Sequence, residues 1–283
     1  MKTLDTLVED IGKVLVTPQE ITQEEGDQFG KNLSNVILRR LREGPLQGNE
    51  LRMSNLGTKC LRKLWYTVNA PEKAEPLHWT TRLKFLYGDL IEELVLFLAQ
   101  LSGHSVTGRQ ETLVSDGIEG HRDAKIDGVL TDVKSASGYG FKKFESGLQA
   151  EQDAFGYLTQ LAAYKEADKE SPGTDGAFVA VNKETGEICV DVHKELPVAE
   201  IPETIRRAKA AINLPEPPER GYAAEPDGKS GNQKLATPCS YCQWKATCWP
   251  GLRGFAYSGS PRFLTKVERP PDVPEFKVWK PET

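Results

Sequence analysis

The sequence lacks the features that mark exported, membrane-bound and strongly basic proteins. No apolar run approaches the length of a membrane span. The N-terminal stretch MKTLDTLVEDIGKVLV carries acidic residues where a secretory signal needs an uninterrupted apolar segment. The net charge is −5, so no global positive field attracts nucleic acid, although an enzyme needs only a local basic groove. These absences predict a cytoplasmic protein without a membrane partner.

Cysteine is scarce and odd in number. The chain has five cysteines and no export signal, which argues against a disulfide framework. Three of them, Cys239, Cys242 and Cys248, lie close together in PCSYCQWKATCW, where the C-x2-C spacing is that of metal ligands. A four-coordinate site needs one more thiolate, from Cys60 or Cys189. We favour Cys60, which begins a predicted helix, because a free cysteine in an alternating strand such as that of Cys189 is usually a small core residue.

The apolar patterns predict an α/β core with a helical N-terminal part. Helices are predicted at 24–41, 61–68, 81–101, 152–167 and 202–212, and strands at 104–114, 120–136, 176–182 and 186–196. We expect a loop at 137–147. The chain then divides into a helical N-terminal part over 1–80 that carries Cys60, a core over 81–213, a connector and cysteine strap over 214–250, and a Pro-rich, irregular tail over 251–283.

The segment GHRDAKIDGVLTDVKSAS places acids inside a predicted β-hairpin. Asp127-Gly128 is a strong signal for a two-residue type I′ turn. In that register Asp123 lies opposite Asp132, and His121 lies opposite Lys134, all on one face. Opposing like charges are destabilising unless they are neutralised, and a divalent cation such as Mg²⁺ or Mn²⁺ is the simplest remedy. The hairpin therefore predicts half of a metal site.

Two helices offer further polar groups. In YGDLIEELVLFLAQL, Glu92 falls on an apolar sector, where a carboxylate is costly unless it is paired or bound to a metal, whereas Glu93 falls on the stripe expected at the surface. In the later helix, Gln160 and Tyr164 share a face at i, i+4. They could satisfy each other's hydrogen bonds, or hold a phosphate near a site.

These elements together resemble the PD-(D/E)XK nuclease superfamily, in particular its RecB-like exonuclease branch. The resemblance rests on Gly120-x2-Asp123, Asp132-Val133-Lys134 and Gln160-x3-Tyr164. Gly88-x3-Glu92 is similar to the branch's first motif, in which many members have His in place of this Glu, a departure that bears on metal preference. The four cysteines resemble the iron–sulfur members, which include CRISPR-adaptation and phage exonucleases. The resemblance covers about Ser54 to Trp249.

The resemblance implies a PD-(D/E)XK core, in which a mixed sheet is flanked by helices. It also implies a metal-dependent DNA nuclease, an exonuclease that acts in repair, recombination or phage genome metabolism. It allows protein partners in repair or recombination, and a phage-encoded enzyme would act in the host cytoplasm. The sequence has no Walker A motif, so we expect no helicase part within it. The alternative is a non-catalytic DNA-binding or protein-interaction module of the same fold. His121 is expected to have a structural role.

The resemblance also assigns roles to single residues. It implies that Glu92, Asp123, Asp132 and the carbonyl of Val133 bind Mg²⁺ or Mn²⁺, and that Lys134 positions the attacking hydroxide. It implies a 4Fe–4S cluster on the four cysteines, whose chemistry alone also allows zinc. Contacts with the DNA backbone are expected from Arg62, Lys63, Gln160 and Tyr164.

Overall fold

The computed structural model describes residues 2–42, 49–171 and 173–279. They form two compact units. The first contains the N-terminal helices, Arg52–Gly57 and His78–Ile205, and the second contains Thr58–Leu77 and the chain from Arg206 onward. This division differs from the predicted boundaries, because the N-terminal helices belong with the core and the segment that contains Cys60 belongs with the C-terminal part. No helix among the described residues is long and apolar enough to cross a membrane.

The helices match most of the predicted ones in position. They are α1 (Leu7–Val16), α2 (Gln23–Arg42), α3 (Met53–Leu56), α4 (Leu61–Asn69), α5 (Trp79–Leu101), α6 (Gly138–Glu145), α7 (Tyr157–Ala167), α8 (Ile201–Ile212), α9 (Thr237–Ser240) and α10 (Lys245–Cys248).

Two predictions for the chain around 137–167 are wrong. Residues expected to form a loop contain α6, whose first turn is capped by the Ser137 side chain accepting a hydrogen bond from the Gly140 amide at 3.3 Å. The glycines of this segment favoured a loop in the prediction, although Ser137 is a residue type that often caps the start of a helix. Helix α7 begins five residues later than predicted, because Gly156 adopts a left-handed conformation (φ 76°) that ends the preceding turn.

The central sheet of the first unit is mixed, which confirms the α/β prediction. Its strands are β1 (Val106–Thr107), β4 (Ala124–Ile126), β5 (Val129–Ala136), β6 (Gly176–Asn182) and β7 (Ile188–His193), in the spatial order β1-β4-β5-β6-β7. Only β5 and β6 run parallel, and α6 and α7 lie in the connection between them. A parallel pair needs such a long crossover, which here carries Gln160 and Tyr164.

The predicted hairpin forms only in part. Asp127 (φ 52°) and Gly128 (φ 84°) make the turn, and Ala124 pairs with Thr131 as expected. The pairing stops there, because β3 (Ile118–His121) leaves the central sheet and pairs with β2 (Thr112–Ser115). His121 therefore lies opposite Thr112 and not opposite Lys134, and that prediction is wrong.

Arg122 causes the break between β3 and β4. Its side chain is buried, and its guanidinium donates to the Gly108 carbonyl at 3.0 Å, pairs with Glu111 and lies 3.1 Å from Asp168. Burying a guanidinium requires such partners. The strand therefore bends at this point, and Asp123 becomes free to turn its side chain toward β5.

The core of the first unit lies between the sheet and helices α1 and α5. Leu7 and Ile11 of α1 and Leu96 of α5 pack with sheet residues such as Ile126 and Val179, and all five are almost fully buried. On the other face of β6, Phe178 packs against aromatic rings of α6 and α7. The first motif of the predicted site therefore sits on one covering helix and the last motif on the other.

The second unit contains a sheet that the sequence did not predict. Strands β8 (Glu225–Pro226), β9 (Gln233–Lys234), β10 (Arg253–Ala256), β11 (Pro261–Lys266) and β12 (Glu275–Phe276) pair in the order β12-β10-β11-β9-β8. The expectation of an irregular tail after residue 250 is wrong. Leu235, Leu252, Phe263 and Val278 form a small core that supports these short strands despite their proline and charge content.

Candidate active site

The two aspartates of the hairpin lie beside each other. Asp132 stands on β5 and is 2% exposed. Asp123 precedes β4, and its Oδ2 accepts a hydrogen bond of 2.7 Å from the amide nitrogen of Val133. Burial, followed by the charges of Asp132 and Glu92, raises the pKa of Asp123 well above its ordinary value. Asp123 and Asp132 are therefore near each other, but the predicted ladder pair between them is absent, because the β4–β5 pairing ends at Ala124 and Thr131 and Asp123 lies at the bend before β4.

Glu92 of α5 is the third carboxylate. Its Oε1 accepts a hydrogen bond of 2.6 Å from Gln110 Nε2. Burial raises its pKa to about 7, with further contributions from the charges of Asp132 and Asp89. The charge of Asp132 contributes to the raised pKa values of both Glu92 and Asp123, which places the three acids near one another.

Lys134 is the cation of the site. Its Nζ lies 2.5 Å from Asp132 Oδ2. Burial lowers the pKa of this lysine, but the charges of Asp132 and Asp123 outweigh burial and leave the pKa above its ordinary value. The ammonium therefore stays protonated and can stabilise negative charge.

Tyr157, at the start of α7, is a site residue that the sequence reasoning missed. Lys134 Nζ lies 4.6 Å from the centre of the Tyr157 ring, within the range of a cation–π contact. The hydroxyl of Tyr157 is not needed for this contact, since the lysine faces the ring. One signal was available in the sequence: Tyr157 lies three residues before Gln160, on the same helical face.

The chemistry of the three acids fits a hard divalent cation. Carboxylate oxygens are the ligands of Mg²⁺ and Mn²⁺. Asp132 Oδ2 is buried and makes no hydrogen bond of acceptable geometry within the described chain, despite the nearby ammonium. Among the described residues, however, no three His, Cys, Asp or Glu side chains could hold a metal ion as they stand. A cation would therefore require the carboxylates to rotate toward one another.

Val133 contributes its amide to this site. The predicted metal contact through its carbonyl stays a prediction, because the contact that the structure gives is the hydrogen bond from its amide nitrogen to Asp123.

Gln160 and Tyr164 satisfy each other. Gln160 Nε2 donates to Tyr164 Oη at 2.9 Å, and Tyr164 is 3% exposed. Burial, and then the charge of Asp132, raises the pKa of Tyr164, so its hydroxyl lies near the acids. The structure therefore brings both residues to the site. Direct contact of the buried Tyr164 with DNA stays a prediction.

A cleft of about 480 Å³ opens beside Glu92. It is lined by α2, α5 and the 109–110 segment, and most of its lining is polar: Gln28, Asn32, Asn35, Arg39, Gln100, Arg109 and Gln110. Glu93 also lines it, buried and paired with Arg109, so the prediction of a surface Glu93 is wrong. The position of Glu93 on the polar side of its helix predicted exposure. That pattern could not show Arg109, which lies outside the helix and neutralises the buried acid.

The four cysteines favoured by the sequence lie together in the second unit. Burial, followed by the charges of Cys242, Cys60 and Cys248, raises the pKa of Cys239 to about 12. All are free thiols, and Cys189 lies apart in β7. Charges that act on one thiol in this way lie near it, and four thiols match the ligand number of a tetrahedral thiolate site or an iron–sulfur cluster. As they stand among the described residues, the four side chains do not form a ready-made metal site.

Two basic residues, Arg62 and Lys63, follow Cys60 and have contacts within the second unit. Arg62 donates to the Pro218 carbonyl at 2.6 Å and lies over the Tyr66 ring. Its guanidinium is thus already engaged by its own chain. Lys63 lies near Cys242, where its charge partly offsets the effect of burial on the pKa of that thiol. Contacts of Arg62 and Lys63 with DNA phosphates stay predictions, and the engagement of Arg62 counts against it.

No family model matches the chain, and no curated protein matches it. Among solved structures, one described as "Crystal structure of SSO0001" is similar, with a TM-score of 0.43 and 16% sequence identity. The match covers 77% of this chain and 95% of that chain. A likeness at this level does not establish a shared family.

Proposed function

We propose that the chain is a metal-dependent DNA nuclease with a PD-(D/E)XK core. One observation carries the proposal: Glu92 of α5, Asp123 of the bend before β4 and Asp132 of β5 come near one another beside the partly buried Lys134. Burial and the charge of Asp132 raise the pKa values of Glu92 and Asp123, so it costs folding free energy to keep these two carboxylates ionised beside Asp132. A function that uses them explains why the chain bears this cost.

The residues can be given separate tasks. The acids would hold Mg²⁺ or Mn²⁺, which when bound would polarise the scissile phosphate and make a bound water more acidic. Lys134, kept protonated by Asp132, stabilises the charge that develops on phosphate oxygens. The Tyr157 ring lies against the ammonium of Lys134 and helps to position it. Gln160 fixes the Tyr164 hydroxyl near the acids.

The cysteine site would hold a 4Fe–4S cluster with a structural role in the second unit. Cys60 precedes α4, and the other three ligands lie between α9 and the end of α10. A cluster on these thiols would join segments that are more than 170 residues apart in the sequence. Zinc is the alternative that the ligand set allows. An iron–sulfur protein is brown with broad absorbance near ~400 nm, whereas a zinc protein is colourless.

The second candidate is a non-catalytic module of the same fold that binds DNA or protein. The mutual satisfaction of Gln160 and Tyr164 and the absence of a ready-made metal geometry within the described residues favour it. The cluster of Glu92, Asp123 and Asp132 counts against it, since a binding module gains nothing from holding like charges close together.

Digestion of end-labelled linear and circular DNA tests the proposal. The protein is incubated with each substrate in Mg²⁺, Mn²⁺ or chelator. We expect metal-dependent loss of the linear substrate, and survival of the circle if the enzyme requires an end. Asp132→Asn should abolish cleavage, whereas Glu151→Gln, at an exposed acid, should not change it. A binding module would leave all substrates intact in every metal.

A further inference from the structure

A row of side chains leads from the buried acid site to the protein surface. Asp132 contacts Lys134, and Lys134 lies on the Tyr157 ring. The Tyr157 ring in turn stacks on Phe155, with ring centres 5.5 Å apart and planes inclined by 30°. Phe155 is 66% exposed, so the row ends in an aromatic face open to solvent.

The loop that carries Phe155 is fixed by its own hydrogen bonds. Asp153 is buried, and its carboxylate accepts from the amides of Gly156, Tyr157 and Leu158 at 2.8–2.9 Å. Gly156 packs so closely on Gly57 that a β-carbon at either position would lie 2.3 Å from the other backbone. The exposed ring is therefore held in place before any ligand arrives, which lowers the entropy cost of stacking on it.

The Phe155 ring is not part of the hydrophobic core, since it is 66% exposed. Phe144 and Phe178 pack against Tyr157 within the protein, with ring centres 6.0 and 6.4 Å away, and they already shelter it. Phe155 adds an apolar surface on the solvent side of the same ring. A phenylalanine ring that faces water, and that is separated from Lys134 by the single ring of Tyr157, is suited to a ligand that has both a flat ring and a phosphate.

We infer that Phe155 is a stacking platform for an unpaired base of the DNA strand at the cleavage site, and that the substrate is single-stranded DNA or the frayed end of a duplex. This inference rests on the proposed nuclease function. A base inside a duplex is stacked on both faces by its neighbours, so only an unpaired base can offer a face to Phe155. Stacking of this kind tolerates any base, which suits a nuclease without sequence preference.

The test compares a single-stranded 12-mer with a blunt duplex of the same sequence. Binding is measured by fluorescence anisotropy in chelator, and cleavage by kcat/KM in Mg²⁺. Phe155→Ala should weaken binding and lower kcat/KM on the single strand by about 5- to 100-fold, the size of one lost base stack. The effect on the blunt duplex should be smaller. Phe155→Tyr should restore the single-strand values.

Trp79→Ala is the matched control, because Trp79 is 67% exposed, about as much as Phe155. It should leave both substrates unaffected. Suppose that the wild type cleaves DNA, but that Phe155→Ala has the same binding and kcat/KM as the wild type, or loses equally on the single strand and on the duplex. The stacking role is then wrong and the nuclease proposal stands. If the wild type binds the strand through Phe155 without cutting it, the platform stands and the nuclease proposal fails. If it neither binds nor cuts, both fail.

Discussion

The folding stability of the metal-free protein should fall as the pH rises, and Glu92 should carry part of that fall. The pKa of Glu92 is about 7 in the folded protein, because burial and the charges of Asp132 and Asp89 disfavour its ionised form. In the unfolded chain it returns to its ordinary 4.5. The folded state therefore binds the proton more tightly, and stability declines between these two pH values.

The size of the effect follows from the shift. At about 1.4 kcal/mol per pH unit, the full shift corresponds to about 3 kcal/mol of the free energy of unfolding. The Glu92 side chain is partly exposed at the cleft, so solvent screening reduces the expected value to about 2 kcal/mol. Glu92→Gln removes the charge and keeps an oxygen that can accept from Gln110.

The assay is urea unfolding in chelator at pH 5 and pH 8, followed by circular dichroism. Wild type should lose about 2 kcal/mol more than Glu92→Gln between the two pH values. Glu151→Gln, at an exposed acid, should behave like wild type. If Glu92→Gln has the same pH dependence as wild type, Glu92 is not held among like charges and the description of the site is wrong.

Three further predictions address the other parts of the account. Lys134→Ala should lower DNA cleavage by at least about 100-fold while Mn²⁺ binding, measured by electron paramagnetic resonance, survives; undiminished cleavage contradicts its role. Tyr157→Leu should lower cleavage by about 10-fold and Tyr157→Phe should not, because the ring and not the hydroxyl faces Lys134; equal loss in both would point to the hydroxyl. Cys239→Ser should remove the absorbance near ~400 nm, and Cys189→Ser should retain it. The reverse pattern would show that Cys189, and not Cys239, is a cluster ligand.

The sequence predicted the parts of the site that depend on local pattern. The Asp-Gly turn fixes the register of β4 and β5, because positive φ at two consecutive residues admits few sequences. Glu92 stood out since a carboxylate on an apolar sector needs a partner. Cys60 could be preferred to Cys189 as a ligand because Cys60 lies at the start of a predicted helix and Cys189 in the middle of a predicted strand. In the structure Cys60 directly precedes α4 and Cys189 lies in β7.

The parts that failed depend on partners far away in the sequence. His121 left the hairpin because Arg122 is held by Glu111 and Asp168. Glu93 is buried because Arg109 neutralises it. No spacing rule brings these charges together, since their meeting is decided by how the elements pack. The strands after residue 250 escaped notice for a related reason: each is short, and only the small core beneath them makes them a sheet.

Diffraction from a crystal soaked in Mn²⁺, collected at the manganese edge, tests the central claim most directly. The account predicts an anomalous peak within about 2.0–2.3 Å of carboxylate oxygens of Asp123 and Asp132, with Glu92 turned toward it. The same crystal form of Asp132→Asn should lose the peak. A crystal whose manganese lies elsewhere, or in which Lys134 keeps its place against Asp132 and no peak appears between the acids, would contradict the account.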